Sequence, residues 1–399
     1  MIQQHSLETM TEATRLVREG KLAEATALLQ GKPIAARAQP GWARSAFQHQ
    51  PAAGSRRGLG MLQGQLPGTA GLESLLSRLR QQGPLATPAE PRPELPGRWL
   101  DGAYANSAGE REYRLYVPSG YAGEPAPLIV LLHGGTQTAE DFAAGTRMNE
   151  LAERHTFLVL YPEQSVAANP MRYWNWFKPS DQHRGAGEPS LIAGLTSQIV
   201  AEYGLARERV HVAGFSAGGA MAAVMAACYP DLYAAVGVHS GLAYGVAKDV
   251  VSAFQAMKHG SPAKRRSRSG SVPMIVFHGD ADPTVDHVNA DCLVESSLAG
   301  RSGRARAQTS SGQVPGGHRY SRSLFPDLEG QTVVEQWTIH QGAHAWSGGS
   351  PEGSYTDPLG PDASTELVRF FSQQRRGASP SAPLRKRRPR RSDADGDPS

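Results

Sequence analysis

Two cysteines, Cys228 and Cys292, are all that 399 residues offer. That excludes a disulfide framework and leaves two idle or buried thiols, or at most one bridge. Long apolar runs are missing as well. No stretch reaches the ~18 residues a membrane-spanning helix needs, and mean hydropathy is −0.41. The start, Met1-Ile2-Gln3-Gln4-His5-Ser6-Leu7-Glu8, has neither a basic head nor an apolar stretch, so it does not read as a secretory signal peptide. The compartment this suggests is the cytoplasm. A strong charge of one sign is also lacking over most of the chain. The net charge is +4, but eight Lys/Arg against three Asp lie between Arg375 and Ser399, which leaves residues 1–374 at −1. Nucleic acid is therefore not an expected partner, except non-specifically through that basic tail.

Glycine and proline are abundant, 44 and 29 residues, and their distribution divides the chain. Residues 1–30 space Leu16, Val17, Leu22, Ala25, Leu28 and Leu29 near helical periodicity, with a break at Gly20-Lys21. From 31 to 96 the chain is rich in Gly, Pro, Gln, Ala and Arg, with one amphipathic island from Leu72 to Leu79. That composition reads as linker, because it buries too little apolar surface to offset ordering entropy. Residues 97–374 read as the folded domain. The alternation Tyr113, Leu115, Val117 predicts a half-exposed strand. The continuous apolar run at 127–132 predicts a strand buried on both faces, 157–162 reads as the next buried strand, and further strands are expected at 210–215, 234–238, 272–279 and 333–340. Helical stretches are expected at 139–155, 189–203, after Ser216, at 288–298 and at 364–371. Ser261 to Gly270 reads as a charged surface loop. This alternation predicts an α/β fold with a mostly parallel central sheet covered by helices on both faces. Residues 375–399 are expected to be a disordered basic tail.

One stretch organises the domain. Val210-His211-Val212-Ala213-Gly214-Phe215 leads into Ser216-Ala217-Gly218-Gly219-Ala220-Met221. Apolar strand, Gly-x-Ser-x-Gly and a small-residue helix together describe a nucleophile elbow, with Ser216 on a sharp turn. A serine hydroxyl needs a histidine to take its proton and a carboxylate to orient that histidine. In the elbow fold both follow the serine in sequence. The acid is expected in His278-Gly279-Asp280-Ala281-Asp282-Pro283. Asp280 and Asp282 compete there, with Asp286 just behind, and Asp282 is favoured because it lies further along the loop. His287, His318, His340 and His344 follow the acid. His344 is favoured, since it sits among small residues just past the last strand. Oxyanion donors are expected from the Ala217 amide and from Gly135 in His133-Gly134-Gly135-Thr136.

Taken together, Leu132-His133-Gly134-Gly135-Thr136-Gln137, Trp174-Asn175-Trp176-Phe177, Gly214-Phe215-Ser216-Ala217-Gly218-Gly219, His278-Gly279-Asp280-Ala281-Asp282 and Gly342-Ala343-His344-Ala345-Trp346-Ser347-Gly348-Gly349 resemble the polyhydroxybutyrate (PHB) depolymerase family of esterases. The resemblance runs from about Tyr113 to Phe371. It implies an α/β-hydrolase fold and ester hydrolysis through a Ser216–Asp282–His344 triad, with Gly135 and Ala217 as oxyanion donors and no metal or other cofactor. The implied substrates are short-chain hydroxyalkanoate esters, as polymer or oligomers. A feruloyl- or acetylxylan-type carbohydrate esterase is the alternative, and a granule-associated binding protein with secondary esterase activity is a third reading. Trp174, Asn175, Trp176 and Trp346 are candidates for substrate contact, with core packing the competing role for the tryptophans. Many family members carry cysteines where this chain has Gly135 and Tyr173, and those can bridge the two loops. Such members are often secreted. Nothing after Phe371 is long or apolar enough for a separate polymer-binding domain.

Overall fold

The computed structural model describes residues 95–261, 272–299 and 306–377. The helical segment 1–30, nearly all of the linker, the basic stretch 262–270 and the tail beyond Gly377 lie outside the described residues. A ten-stranded sheet runs in the order β1-β2-β4-β3-β5-β6-β7-β10-β9-β8. Its central strands are β3 (Leu128–Leu132), β4 (Leu158–Pro162), β5 (Val210–Phe215), β6 (Ala235–His239), β7 (Met274–Gly279) and β10 (Thr332–Ile339). All of them pair in parallel. Each run from β3 to β7 is buried at every position, as expected for strands covered on both faces.

Alternate residues along these strands feed two cores. Leu128, Val130, Leu132, Val212 and Val236 pack with Ile192 and Leu195 of α3 (Gly187–Glu202), Met221 of α4 (Ala217–Cys228), Ala253 of α5 (Val250–His259) and Leu293 of α6 (Val288–Leu298). On the opposite face Ile129, Leu131, Ala213 and Phe277 meet Phe142 of α1 (Ala139–Thr146), Leu151 of α2 (Met148–His155) and Leu367 and Phe370 of α7 (Ala363–Ser372). The one expected helix over 139–155 is thus two. Arg147 adopts φ 53°, ψ 27° between them, and its guanidinium donates to the Gly348 carbonyl at 3.1 Å.

Antiparallel strands extend both ends of the sheet. On one side β1 (Arg98–Asn106) pairs with β2 (Gly109–Val117), and β2 with β4. On the other, β9 (Arg319–Pro326) pairs with β10, and β8 (Gln308–Gln313) with β9. A short parallel pair, β11 (Trp346–Ser347) and β12 (Thr356–Asp357), lies outside the main sheet. Gln374 is buried and the Arg376 amide donates to the Glu208 carbonyl at 3.0 Å, so ordered chain continues just past the expected start of the tail. Cys228 and Cys292 form no disulfide, and no helix among the described residues is long and apolar enough to cross a membrane.

The chain crosses from β3 to β4 on one side and returns to β5 on the other. The crevice at such a reversal, beyond the carboxyl ends of the strands, is where this architecture places its ligands. The loops leaving β3, β5, β7 and β10 all open there.

Candidate active site

At the end of β5 the backbone turns sharply, and Ser216 takes φ 55°, ψ −119°. The flanking glycines are steric requirements. A Cβ on Gly214 would collide with the Gly218 carbonyl, and one on Gly218 with the Leu132 and His133 carbonyl oxygens. The turn is held by the neighbouring strand: the Ser216 amide donates to the His239 carbonyl at 2.9 Å. Ala217 then opens α4, so the serine stands at the positive end of a twelve-residue helix.

The histidine and acid arrive from the exits of β10 and β7. His344 Nε2 lies 2.9 Å from Ser216 Oγ, and its Nδ1 lies 2.6 Å from Asp282 Oδ2. The Asp282 side chain has 0% of its surface exposed and that of His344 10%. The other carboxylate oxygen of Asp282 accepts the amides of Thr284 at 2.8 Å and Val285 at 2.9 Å. Burial alone would raise this carboxyl, but hydrogen bonds from His278 and His344, and their charges, hold it far below the usual carboxylate range. The structure therefore brings Asp282 to His344. Asp280 goes elsewhere, to His340 Nδ1 at 2.8 Å. His318 pairs with Asp357 at 3.0 Å, and His287 lies 3.6 Å from Asp286.

The loop after β3 is fixed by its own side chains. Gln137 Oε1 accepts the Gly134 amide at 2.9 Å, and its Nε2 donates to Asp141 and to Ser354. Thr136, at φ 66°, donates its amide to the Met171 carbonyl at 2.8 Å. Gly135 packs directly against the ring of Tyr173. Among the described residues, neither the Gly135 nor the Ala217 amide has a protein acceptor.

The four residues expected at the substrate are buried: Trp174, Asn175, Trp176 and Trp346 are 0%, 4%, 6% and 2% exposed, which favours the competing role of core packing for the tryptophans. The Trp174 indole N–H donates to the His133 carbonyl at 3.1 Å, and that of Trp346 to Ser364 Oγ at 3.0 Å. These are anchored core tryptophans that hold the loops around Ser216. Asn175 donates its amide and its side-chain NH₂ to Glu188 at 2.7 and 2.6 Å. The aromatic rings that reach solvent beside Gly135 and Thr136 are Tyr173 and Tyr355, whose hydroxyl lies 3.2 Å from Thr136 Oγ1.

Three supporting residues were given no role from sequence, although His278 opens the acid-loop motif. His239, at the end of β6, holds the elbow through its carbonyl and the His344 loop through its ring, for Nε2 accepts the Ser347 amide at 3.0 Å. Its ring stacks between Trp346, at 5.0 Å, and Phe277, at 5.7 Å. His278 Nε2 donates to the Val285 carbonyl at 2.9 Å and closes the acid loop. Glu188, 3% exposed, gathers Asn175, Gln164 and Arg111 under the Trp174–Trp176 segment. The only available signal was position: a polar residue at the end of a buried strand, or one inside the first turn of a buried helix.

Comparison with known proteins follows the same lines. Residues 111–304 match the family described as "Esterase PHB depolymerase". The poly(3-hydroxyalkanoate) depolymerase C of Paucimonas lemoignei is 33% identical over 248 residues, 59% of this chain and 58% of that protein. The probable acetylxylan esterase A of Aspergillus clavatus is 33% identical over 189 residues, 43% of this chain and 60% of that protein. The match thus spans about three-fifths of these relatives' length. Among solved structures, the acetyl xylan esterase from Aspergillus awamori superimposes with a TM-score of 0.53 at 19% identity, covering 69% of this chain and all of that one. In fold the chain is an α/β-hydrolase, and in sequence it resembles the PHB depolymerase family of esterases.

Proposed function

We propose that the chain is a serine carboxylic-ester hydrolase whose substrates are short-chain hydroxyalkanoate esters, as polymer or oligomers. The observation that carries this is the unbroken series Ser216 Oγ, His344, Asp282, with contacts of 2.9 and 2.6 Å. In this reading Ser216 Oγ attacks the ester carbonyl carbon while its proton passes to His344 Nε2. Asp282 remains ionised, keeps the Nδ1–H directed toward itself and stabilises the imidazolium. The amides of Ala217 and Gly135 receive the negative charge that develops on the carbonyl oxygen. The alcohol departs with the proton, and a water activated by the same histidine releases the acid. The chemistry calls for no metal.

The likeness to the depolymerase from P. lemoignei favours the hydroxyalkanoate substrate. The likeness to acetylxylan esterases supports a second reading, removal of acetyl groups from polysaccharide. A single comparison tests both: hydrolysis of p-nitrophenyl butyrate, PHB, acetylxylan and methyl ferulate by the full chain and by Ser216→Ala. Turnover of PHB or its oligomers well above the carbohydrate esters, lost in the variant, is the expected result. Preference for acetylxylan or ferulate would move the assignment to the second reading. Full activity in a folded Ser216→Ala protein would remove the proposed mechanism.

A further inference from the structure

A second serine, histidine and aspartate stand in series on the same end of the sheet. His340 Nε2 lies 2.9 Å from Ser321 Oγ, and Nδ1 lies 2.8 Å from Asp280 Oδ2. The three come from three neighbouring strands: Asp280 directly follows β7, His340 directly follows β10, and Ser321 is in β9. The wiring repeats that of the first series. Asp280 Oδ1 accepts the Gln341 amide at 2.6 Å, as one oxygen of Asp282 accepts the amides of its own loop. Burial acts to raise the Asp280 carboxyl, but the His340 hydrogen bond and the Gln341 amide hold it below its ordinary value. It therefore faces the ring as a carboxylate. With Nδ1–H directed to that carboxylate, Nε2 is left as the acceptor for the serine hydroxyl. Unlike the first series this one is open, with 32% of the Asp280 side chain and 39% of His340 exposed.

We propose that Ser321 is a second nucleophilic hydroxyl, which accepts one acyl group from small activated carboxylic esters. Ser321 Oγ forms the bond to the carbonyl carbon as its proton passes to His340 Nε2. The bond from that carbon to the leaving alkoxide oxygen then breaks, and the alcohol departs with the proton. What the site lacks sets its limit. Ser321 is an ordinary strand residue, paired with Ser311 on one side and Thr338 on the other, and it neither sits on an elbow nor opens a helix. A positioned base contributes roughly 10²–10⁴ in rate, whereas a missing oxyanion donor costs about 10²–10³. Ser321 should accordingly be acylated slowly and once, without turnover.

The test uses full-length Ser216→Ala, so its outcome is independent of the esterase reading. The protein is incubated with p-nitrophenyl acetate and its peptides are mapped by mass spectrometry. The expected result is one acetyl on Ser321, formed at least tenfold faster than on Ser311 or Ser323. His340→Gln should slow that labelling at least tenfold, and Asp280→Asn should slow it by a smaller factor. Absence of acetyl-Ser321 would overturn the proposal, as would labelling unchanged by His340→Gln. If His340→Gln does not fold, Asp280→Asn decides alone, and unchanged labelling there overturns it equally.

Discussion

Gly135 lies against the ring of Tyr173, so that a Cβ at position 135 would fall inside the ring's edge. These are the two positions at which many esterases of the resembling family carry cysteines. Here an aromatic ring over a bare Cα takes that place, and contact between the loops depends on the absence of a side chain. Gly135→Ala should push the two loops apart and misdirect the Gly135 amide. Loss of Gly135 as the proposed oxyanion donor predicts a kcat about 10²–10³ lower with little change in fold. Adding Tyr173→Ala should restore at least tenfold of that loss by clearing space for the methyl group. Steady-state kinetics of the single and double variants check this, and an additive double variant would refute it.

Asp282→Asn should lower kcat by about 10⁴, because an amide cannot hold His344 in the required tautomer. Asp280→Asn should cost less than tenfold, since Asp280 serves His340 and the Gln341 amide. Initial rates on a soluble ester distinguish the two, and equal damage at both positions would count against the assignment.

Stability should fall with acidification below neutral pH. Burial holds His211 down to about 3, lowers His133, and together with the charges of His278 and His344 sets His239 well below its ordinary value. All three bind a proton less readily in the folded chain than in the unfolded chain, which takes up protons below about pH 6.5, so their stability is fully present above that pH and is lost as pH falls below it. His211 accounts for on the order of 1 kcal/mol of loss between pH 7.5 and 5.5, and His133 and His239 add to it in the same direction. Urea unfolding at the two values measures the difference, and a flat profile would exclude it. His211→Phe, which keeps the stacking on Phe371 at 4.6 Å, should remove one proton's share of the slope.

Glu188→Ala should cost about 3–5 kcal/mol, because it leaves the Arg111 guanidinium buried without its partner, 3.1 Å away. Activity should fall as well, through the Trp174–Trp176 segment and the Gln164 link to His133. Thermal melting of the variant tests the first effect, and a loss below 1 kcal/mol would contradict it.

The parallel part of the sheet was readable because most of its strands are apolar runs bounded by turn residues; β10, with Glu335 and Gln336 inside it, is the exception. Of the outer strands only β2 was readable, from the alternation of Tyr113, Leu115 and Val117. Residues 308–313, Gln-Thr-Ser-Ser-Gly-Gln, are exposed at every position but Gly312 and show no alternation, since their pairing comes from β9 and not from a buried face. The break at Arg147 was hidden because a left-handed arginine leaves no compositional mark. At the site, the contacts of His344 with Ser216 and Asp282 agree with the loop positions from which these residues were chosen. The buried state of Trp174 and Trp346 was not, because a conspicuous aromatic motif looks the same whether it touches a ligand or supports the loop behind it. The roles of His239 and the Asp280–His340 pair depend on which strands become neighbours, and local sequence does not carry that information.

The left-handed turn at Ser216 sets durability against activity at a single position. A non-glycine residue at φ 55°, ψ −119° costs on the order of 1–3 kcal/mol, and the packing of β5, α4 and the His239 carbonyl offsets it in every folded molecule. Glycine would relieve that cost, less about 0.5–1 kcal/mol for its greater freedom in the unfolded chain. An inactive Ser216→Gly protein should therefore melt a few degrees above the active one. Selection for heat tolerance alone would discard the proposed nucleophile first, so a stabilised form of this chain must be sought under simultaneous demand for turnover.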